Sequence, residues 1–513
     1  MPKPNGELRP LGIPTIQDRI IQQAIKQILE PIVEAKFYNK SYGFRPNRGT
    51  YHAIASLYKM IQCDNLHFIV DIDIKGFFDN VNHSKLIKQL WTLGIRDKNL
   101  ICVIGKMLKA PIEKEGIPNK GTPQGGILSP LLSNVVLNEL DWWIDSQWEN
   151  IPTKHNYTKK TKHPNGKIYF SNSNKYRALR NTKLKEVYIV RYADDFKLIC
   201  RDYKTAKTMY QSVKNWLKDR LNLDINEEKS KITNLRTKRT EFLGFEIGTH
   251  LKRNKLVVTS RMSRKAKIKA INKLRKKIRQ IKKMPHMTIV KQYNSIVLGL
   301  QNYYKVATLV SCDFAEMYYK IFRTLRNRLK GKVNNKGDPG LTYKRLYSDY
   351  NEKAKFIDNQ VIFPLYGIKF YKATHFPNDI NSYTKEGREA IHRKIKDINE
   401  HTIKYMLDNP IANRSTEYND NRMSLYIGQN GKCRITKLRL DPKNMECHHI
   451  EPRSRGGDDS YDNLVLLNKE VHKLIHMKNQ DLIKQIVYEL ELDDKEKAAI
   501  NKFREKIGNY NIK

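Results

Sequence analysis

The chain has 513 residues, with 96 Lys and Arg against 53 Asp and Glu and a net charge of +43. That length suits several domains and more than one core. It contains no run of about 18 apolar residues, so no transmembrane helix and no membrane partner are expected. Its opening, Met1-Pro-Lys-Pro-Asn-Gly, has no apolar signal region, so secretion is not expected either. The 6 cysteines (63, 102, 200, 312, 433 and 447) are scattered, which points to a reducing compartment and not to a disulfide framework. So large a positive charge calls for a polyanion, and nucleic acid is the usual one, because each neutralised phosphate releases a counterion.

In chain order, residues 15–36 place Ile20, Ala24, Ile28 and Ile32 at helical spacing. Asn65–Ile74 alternates and reads as a strand. Residues 146–185 are polar and read as an insertion or long loop. Glu186–Cys200 is two apolar runs around Ala-Asp-Asp, a hairpin with acids at its tip. Residues 261–283 hold a dozen basic residues and no acidic one. There Ile268, Ile271, Leu274, Ile278 and Ile281 form one apolar stripe, so a basic amphipathic helix is expected. Residues 331–340 read as a loop or boundary. Residues 376–422 are polar and connector-like, and 425–480 carry a dense histidine cluster in a distinct module.

Asp71 and Asp73 lie two apart on the first strand and so share one face. Asp194 and Asp195 sit at the hairpin tip. A cluster of carboxylates is costly unless cations relieve it, and two Mg²⁺ ions about 4 Å apart both do so and suit phosphoryl transfer. Taken alone, a pair of aspartates in a turn is more often a solvated tip. The surrounding motifs reverse that weight. Phe68–Asp79 (FIVDIDIKGFFD), Lys120–Pro130 (KGTPQGGILSP) and Arg191–Phe196 (RYADDF) resemble the palm motifs of group II intron reverse transcriptases. So do the opening PKPNGELRPLGIPTIQDRIIQQA, Ser41–Arg48 (SYGFRPNR), Asn226–Lys231 (NEEKSK) and Phe242–Phe245 (FLGF). Together they span nearly all of residues 1–250.

The resemblance implies that Asp73, Asp194 and Asp195 bind metal and carry catalysis, with Asp71 as a supporting acid. It implies that Phe77 packs under the incoming sugar and excludes a 2′-hydroxyl, with Phe78 as the alternative. Gln124, Gly125 and Gly126 form a loop where backbone can approach nucleotide and template closely. Lys3, Arg9 and Arg19 lie in the fingers segment, where they could meet triphosphate or template. Members of the family usually carry a further segment before PKPNG. The sequence starts inside that motif, which leaves open a misassigned start or a truncated copy.

After FLGF, the basic helix is followed by Gly299–Lys305 (GLQNYYK) and Phe322–Lys330 (FRTLRNRLK). Charges interleaved with rings suit structured RNA. The segment resembles the maturase region, domain X, and implies RNA contacts by Lys273, Arg275, Lys276, Arg279, Asn302, Tyr303 and Tyr304. One of the two tyrosines reads equally well as core.

Residues 446–476 read ECHHIEPRSRGGDDSYDNLVLLNKEVHKLIH. His472 and His476 are four apart, so a helix puts both on one face. With His448, His449 and Asn463, the pattern resembles the HNH nuclease ββα-metal motif. By that resemblance His448, His472 and His476 ligate one divalent ion, Mg²⁺ or similar, and His449 is the general base. Asn463 holds the loop, and Glu446 is the acid expected to orient one of the ligating imidazoles. Cys433-Arg-Ile-Thr436 has no matching pair, so no structural zinc ribbon is expected.

The expected fold is multidomain α/β and α. Right-hand-like reverse transcriptase fingers and palm occupy 1–250, an α-helical thumb or maturase domain X 251–345, and a connector that is a candidate for DNA binding 346–422. An HNH module of the ββα-metal type follows at 423–480, then a C-terminal helical tail at 481–513. The implied partners are group II intron RNA, target DNA and deoxynucleoside triphosphates, in a dimer or a ribonucleoprotein. The implied setting is a bacterial cytoplasm, nucleoid-associated, or an organelle. Two other readings stay open: a splicing factor without catalysis, and a retron or defence reverse transcriptase.

Overall fold

The computed structural model describes residues 12–112, 116–123, 125–162, 168–348, 353–377, 380–392 and 399–512. The chain forms two compact units, Met1–Phe376 and Pro377–Lys513.

The first unit is built on a four-stranded antiparallel sheet of β1 (Phe68–Ile72), β2 (Val187–Tyr192), β3 (Asp195–Cys200) and β4 (Lys231–Asn234), in the order β2-β3-β1-β4. β1 and β3 pair from Phe68↔Cys200 to Ile72↔Phe196. Ile69, Val70, Asp71 and Ile72 are all buried, so both faces of β1 are covered and its apolar alternation is not a solvent boundary.

Helix α1 (Ile16–Glu34) departs from the expected stripe. It buries Ile25, Leu29 and Val33, while Ile20 is 65%, Ile28 61% and Ile32 41% exposed. The segment carries two isoleucine-rich rows at i,i+4 spacing, and periodicity alone does not choose between them. Helix α2 (Ser129–Gln147) is buried on nearly every side. The 146–185 stretch is more ordered than a loop. Lys159–Lys162 pairs with Ile168–Ser171, and a helix over Ser173–Arg180 stacks Tyr176 on Trp148 at 6.2 Å.

A second sheet joins β5 (Thr240–Phe242), β6 (Phe245–Lys252) and β7 (Lys255–Met262). Leu243 and Gly244, the centre of FLGF, have φ of 50° and 78°, so they close a two-residue hairpin turn that favours positive φ at both positions. Three helices follow: α3 (Arg264–Lys283), α4 (Met287–Tyr304) and α5 (Val310–Leu329). α3 buries Ile271, Leu274, Ile278 and Ile281 as expected, but Ile268 is 52% exposed. Buried Asp313 on α5 accepts from the Met262 amide at 2.6 Å and pairs with Lys267 at 2.8 Å, which pins α5 to the start of α3.

The stretch read as a connector from 346 is divided between the units. Up to Phe376 it belongs to the first, where Phe356, Ile357, Val361, Phe363 and Leu365 enter the core. Asn294 on α4 fastens them, accepting from the Phe363 amide at 2.8 Å and donating to the Val361 carbonyl at 2.7 Å. The segment's mean polarity hides this short apolar run.

In the second unit, helix α6 (Thr416–Gly428) precedes β8 (Met445–His449), β9 (Leu464–Asn468) and α7 (Lys469–His476). The C-terminal stretch is part of this core. Helix α8 (Asp494–Ile507) buries Ile500 and Arg504, and Arg504 donates to the Leu474 and Met477 carbonyls at the end of α7. That satisfies carbonyls which a helix end leaves without partners.

Candidate active sites

The first site lies at one end of the β2-β3-β1-β4 sheet. Asp73 follows Ile72 and Asp195 precedes Phe196, the last pair of β1 and β3. Three contacts from the NEEKSK segment hold Asp73. Its amide donates to Ser230 Oγ at 3.1 Å, its carbonyl accepts from the Asn226 amide at 2.7 Å, and Lys229 Nζ is 3.7 Å from its carboxylate.

Ala193 turns the hairpin at φ 59°, with exposed Asp194 beside it. Arg191 supports this turn from below. Its buried guanidinium grips Asp141 at 2.6–3.0 Å and donates at 2.9 Å to both Asn134 Oδ1 and the Ala193 carbonyl. The SYGF segment closes the other side. The Tyr42 amide donates to the Arg191 carbonyl at 2.9 Å, and a Cβ on Gly43 would lie 2.2 Å from the Ala193 nitrogen. Only glycine allows that approach.

Asp71 is a supporting acid. It pairs with buried Lys197 at 2.8 Å and accepts from Thr240 Oγ1 at 2.9 Å. Lys197 also reaches Asp195 at 3.5 Å. Burial alone would lower the Lys197 pKa, but Asp71 and Asp195 outweigh it and hold it above the ordinary lysine value. Desolvation, then the charges of Asp71 and Asp194, pushes the Asp195 carboxyl up against the pull of Lys197. This end of the sheet therefore holds more acid than its lysines offset, which fits a divalent cation. Among the described residues, only three histidines bring ligand atoms within 4.8 Å of one another.

Phe77, favoured by the sequence for the sugar, is 2% exposed and belongs to the core. Gly76 at φ 53° turns the chain so that Phe77 faces inward. Phe78 is half-buried, its ring 5.3 Å from that of Phe77, and its carbonyl accepts from the Thr122 amide at 2.7 Å. The Gly125–Gly126 turn is tied to α1, where Gln22 Oε1 accepts from the Ile127 amide at 2.8 Å. Arg19 lies on α1, in a shallow depression it shares with Ile16, Ile20 and Ile127. Lys3, Arg9 and Gln124 lie outside the described residues.

Lys273, Lys276 and Arg279 are exposed on α3, while Arg275 donates to the Lys320 carbonyl at 2.8 Å. Asn302 is exposed. Tyr304 is buried, and a Cβ on Gly244 would lie 2.9 Å from its hydroxyl. Tyr303 donates to the Leu243 carbonyl at 3.0 Å, and its ring stacks on Phe245 at 5.7 Å. Both tyrosines thus clasp the FLGF turn, a framework role that an aromatic pair beside basic residues does not reveal.

The second site is the histidine cluster. Strand β8 presents His448 opposite Val465 of β9, and α7 presents His472 and His476 one turn apart. Their ring centroids are 4.8–5.4 Å apart. His448 is buried and its Nε2 has no partner. Burial first, then the neighbouring imidazoles, lowers His448 to about 3 and His472 to about 4. Burial and Arg504 lower His476 as well. Three neutral, converging imidazoles, one with an orphaned nitrogen, fit a divalent metal.

His449 points elsewhere. Its ring stacks on Tyr418 at 5.6 Å, and its Nε2 lies 2.8 Å from Asp459 Oδ1. Asp459 also accepts from Ser415 at 2.5 Å and from Arg453, and these bonds outweigh burial to hold its carboxyl well below the usual range. Sequence reading did not single out Asp459, one of two adjacent acids in a polar loop. Asn463 ties that loop together, accepting from the Glu451 amide at 2.8 Å and donating to the Asp458 carbonyl at 2.8 Å. Among the described residues no hydrogen bond joins Glu446 to the three histidines, and its charge acts on Arg422.

Residues 1–247 match the reverse transcriptase (RNA-dependent DNA polymerase) family, and residues 431–478 match the HNH endonuclease family. The chain therefore joins a reverse transcriptase domain to an HNH endonuclease domain. Group II intron-encoded protein LtrA of Lactococcus lactis subsp. cremoris is 31% identical over 394 residues, which are 65% of this chain and 64% of that protein. Protein YkfC of Escherichia coli (strain K12) is 34% identical over 246 residues, 45% of this chain and 61% of that protein. A COX1/OXI3 intron 1 protein of Saccharomyces cerevisiae is 28% identical over 517 residues, 89% of this chain and 57% of that protein. The chain is a relative of group II intron-encoded proteins and spans 57–64% of the length of these three.

Proposed function

We propose that the protein is a group II intron reverse transcriptase and maturase that also nicks DNA. The observation that carries this reading is the union in one chain of an acid-rich strand end in a reverse transcriptase domain with three converging imidazoles beside His449. The intron RNA binds the basic thumb, residues 251–345, largely through charge. The HNH module, residues 423–480, cuts one strand of a DNA target, and the new 3′-hydroxyl primes DNA synthesis on the intron template.

At the palm, Mg²⁺ held by Asp73, Asp194 and Asp195 would supply the charge that lets a 3′-hydroxyl attack and pyrophosphate leave. Arg191 and Gly43 fix the hairpin that carries two of these acids. Lys197 offsets their charge before nucleotide arrives. Thr122, bonded to the Phe78 carbonyl, sets the ring of Phe78 where it can meet the sugar.

At the nuclease, one divalent ion on His448, His472 and His476 would stabilise the charge on the departing oxygen. Asp459 takes the Nε2 hydrogen of His449, so the ring's lone pair is on Nδ1. His449 Nδ1 accepts a proton from water, the water oxygen bonds to phosphorus, and the P–O3′ bond breaks; the departing O3′ takes a proton from a second, solvent water, leaving a 3′-hydroxyl and a 5′-phosphate. The test is primer extension on an RNA template and nicking of a duplex carrying the intron's insertion site, both on one preparation. Extension by Asp194→Ala at the normal rate, or nicking by His449→Ala at the normal rate, overturns the assignment.

A further inference from the structure

An apolar hollow of the first unit lies between α4, α5 and the 362–366 segment. It encloses about 450 Å³, within the range of roughly 300–1,000 Å³ found for small-ligand sites. Its walls are aromatic. Tyr318 and Tyr366 meet at 4.3 Å between ring centroids, Phe322 adjoins Tyr318 at 5.6 Å, and Tyr343 adjoins Phe363 at 5.9 Å. Its rim is cationic, with Arg326, Lys330, Lys353 and Lys355, and among the described residues no acidic side chain lines it. Phe322 is 39% exposed, so the wall is open to solvent at that edge.

An apolar ligand alone would not need four cations, and a bare phosphate would not need an aromatic box. A ring attached to a phosphate needs both. We propose that this hollow captures one unpaired nucleotide of a structured RNA. The base enters against Tyr318, Phe322 and Tyr366, and the flanking phosphates meet Arg326, Lys330 and Lys355. This rests on the reading of residues 251–345 as RNA-binding and adds a specific point of capture to it. The exposed cations of α3 grip paired RNA by charge alone, whereas the hollow selects a base that can leave the helix.

The test uses the full chain and two RNA hairpins of identical stem, one fully paired and one with a single bulged 2-aminopurine. The bulged hairpin is expected to bind about five- to a hundred-fold tighter, the gain typical of stacking one base on aromatic side chains, with a change in 2-aminopurine fluorescence. Leu325→Trp, which fills the hollow, should remove that preference and leave binding of the paired hairpin unchanged. The exposed pair Arg326→Ala and Lys330→Ala should reduce the preference as well, and decides the matter if Leu325→Trp does not fold. Equal affinity for both hairpins overturns the captured base and leaves the RNA-binding thumb intact. Failure of both to bind overturns the thumb reading and the proposal with it. Loss of the preference in millimolar adenosine monophosphate, with no loss on filling the hollow, places the base elsewhere and also overturns it.

Discussion

The two candidate metal sites are assembled in opposite ways. The ligand nitrogens of the three histidines lie within 4.8 Å of one another, whereas the palm acids are interleaved with a cation, Lys197 pairing with Asp71 at 2.8 Å and reaching Asp195 at 3.5 Å. The difference is one of charge. Imidazoles shifted to about 3 and about 4 are neutral at pH 7, so His448 and His472 can be close-packed at no Coulomb cost. Carboxylates at pH 7 repel, and burial sharpens the repulsion. A nitrogen site can therefore be built by packing alone, while an acid site must be built around the position a cation will take.

The largest expected effect sits at the acid site. Asp194→Ala should abolish primer extension while leaving DNA nicking at its normal level, measured on the same preparation. Loss of both activities in a folded variant would break the separation of the two sites. Next comes His449→Ala, which removes the proposed base but none of the three converging ligands. Nicking should fall by about 10²–10⁴-fold, with primer extension unchanged. Asp459→Asn should lower nicking by a smaller factor, since it weakens the hold on the His449 tautomer and orientation but leaves the ring in place.

How far this was legible in the sequence follows from the same contrast. Motif order located both sites, and the i,i+4 spacing of His472 and His476 put them on one face, because a helix has a single period. Asp459 was invisible, since its partners Ser415, His449 and Arg453 come from separate segments that only the fold brings together. Lys197 was invisible for the same reason: its value lies in cross-strand registry with Asp71. The exposed face of α1 shows the converse. Periodicity suggested a buried row there that packing did not grant. The Phe77–Phe78 pair turned on the φ of Gly76, which rotates one ring into the core and which the string of letters does not report.

That backbone is itself testable. Asp141→Ala leaves the buried Arg191 guanidinium without its bidentate partner, at a cost of about 3–5 kcal/mol. Urea melts of the first unit should show it, and metal binding by the histidines should not change. A smaller effect separates the two phenylalanines. Phe78→Val should raise ribonucleotide incorporation by about 10–200-fold, the range a steric pocket usually supplies, while Phe77→Val should mainly destabilise the core. The opposite pattern would mean that the inward ring swings out when nucleotide binds.

The smallest effect tests the contrast itself. If the histidines are assembled and neutral before metal arrives, a divalent ion finds ligands that need neither gathering nor deprotonation. Titration of the metal-free full chain with Co²⁺ at pH 7 should show one site whose binding enthalpy does not depend on the ionisation enthalpy of the buffer, because no proton leaves His448 or His472. His472→Ala should remove that site, and Asp194→Ala should leave it in place. At ten times its Kd the ion should stabilise the second unit by about 1.4 kcal/mol, the mass-action term for a ligand that binds only the folded state. As pH falls toward about 4, protonation of His472 begins to compete and affinity should drop; above that, from about pH 5 to 7, it should be nearly flat. An affinity that instead falls steadily from pH 7 to 6 would mean that the imidazoles titrate near their ordinary value. The imidazoles would then release protons as the metal binds, and the neutral, preassembled character that sets this site apart from the acids would be lost.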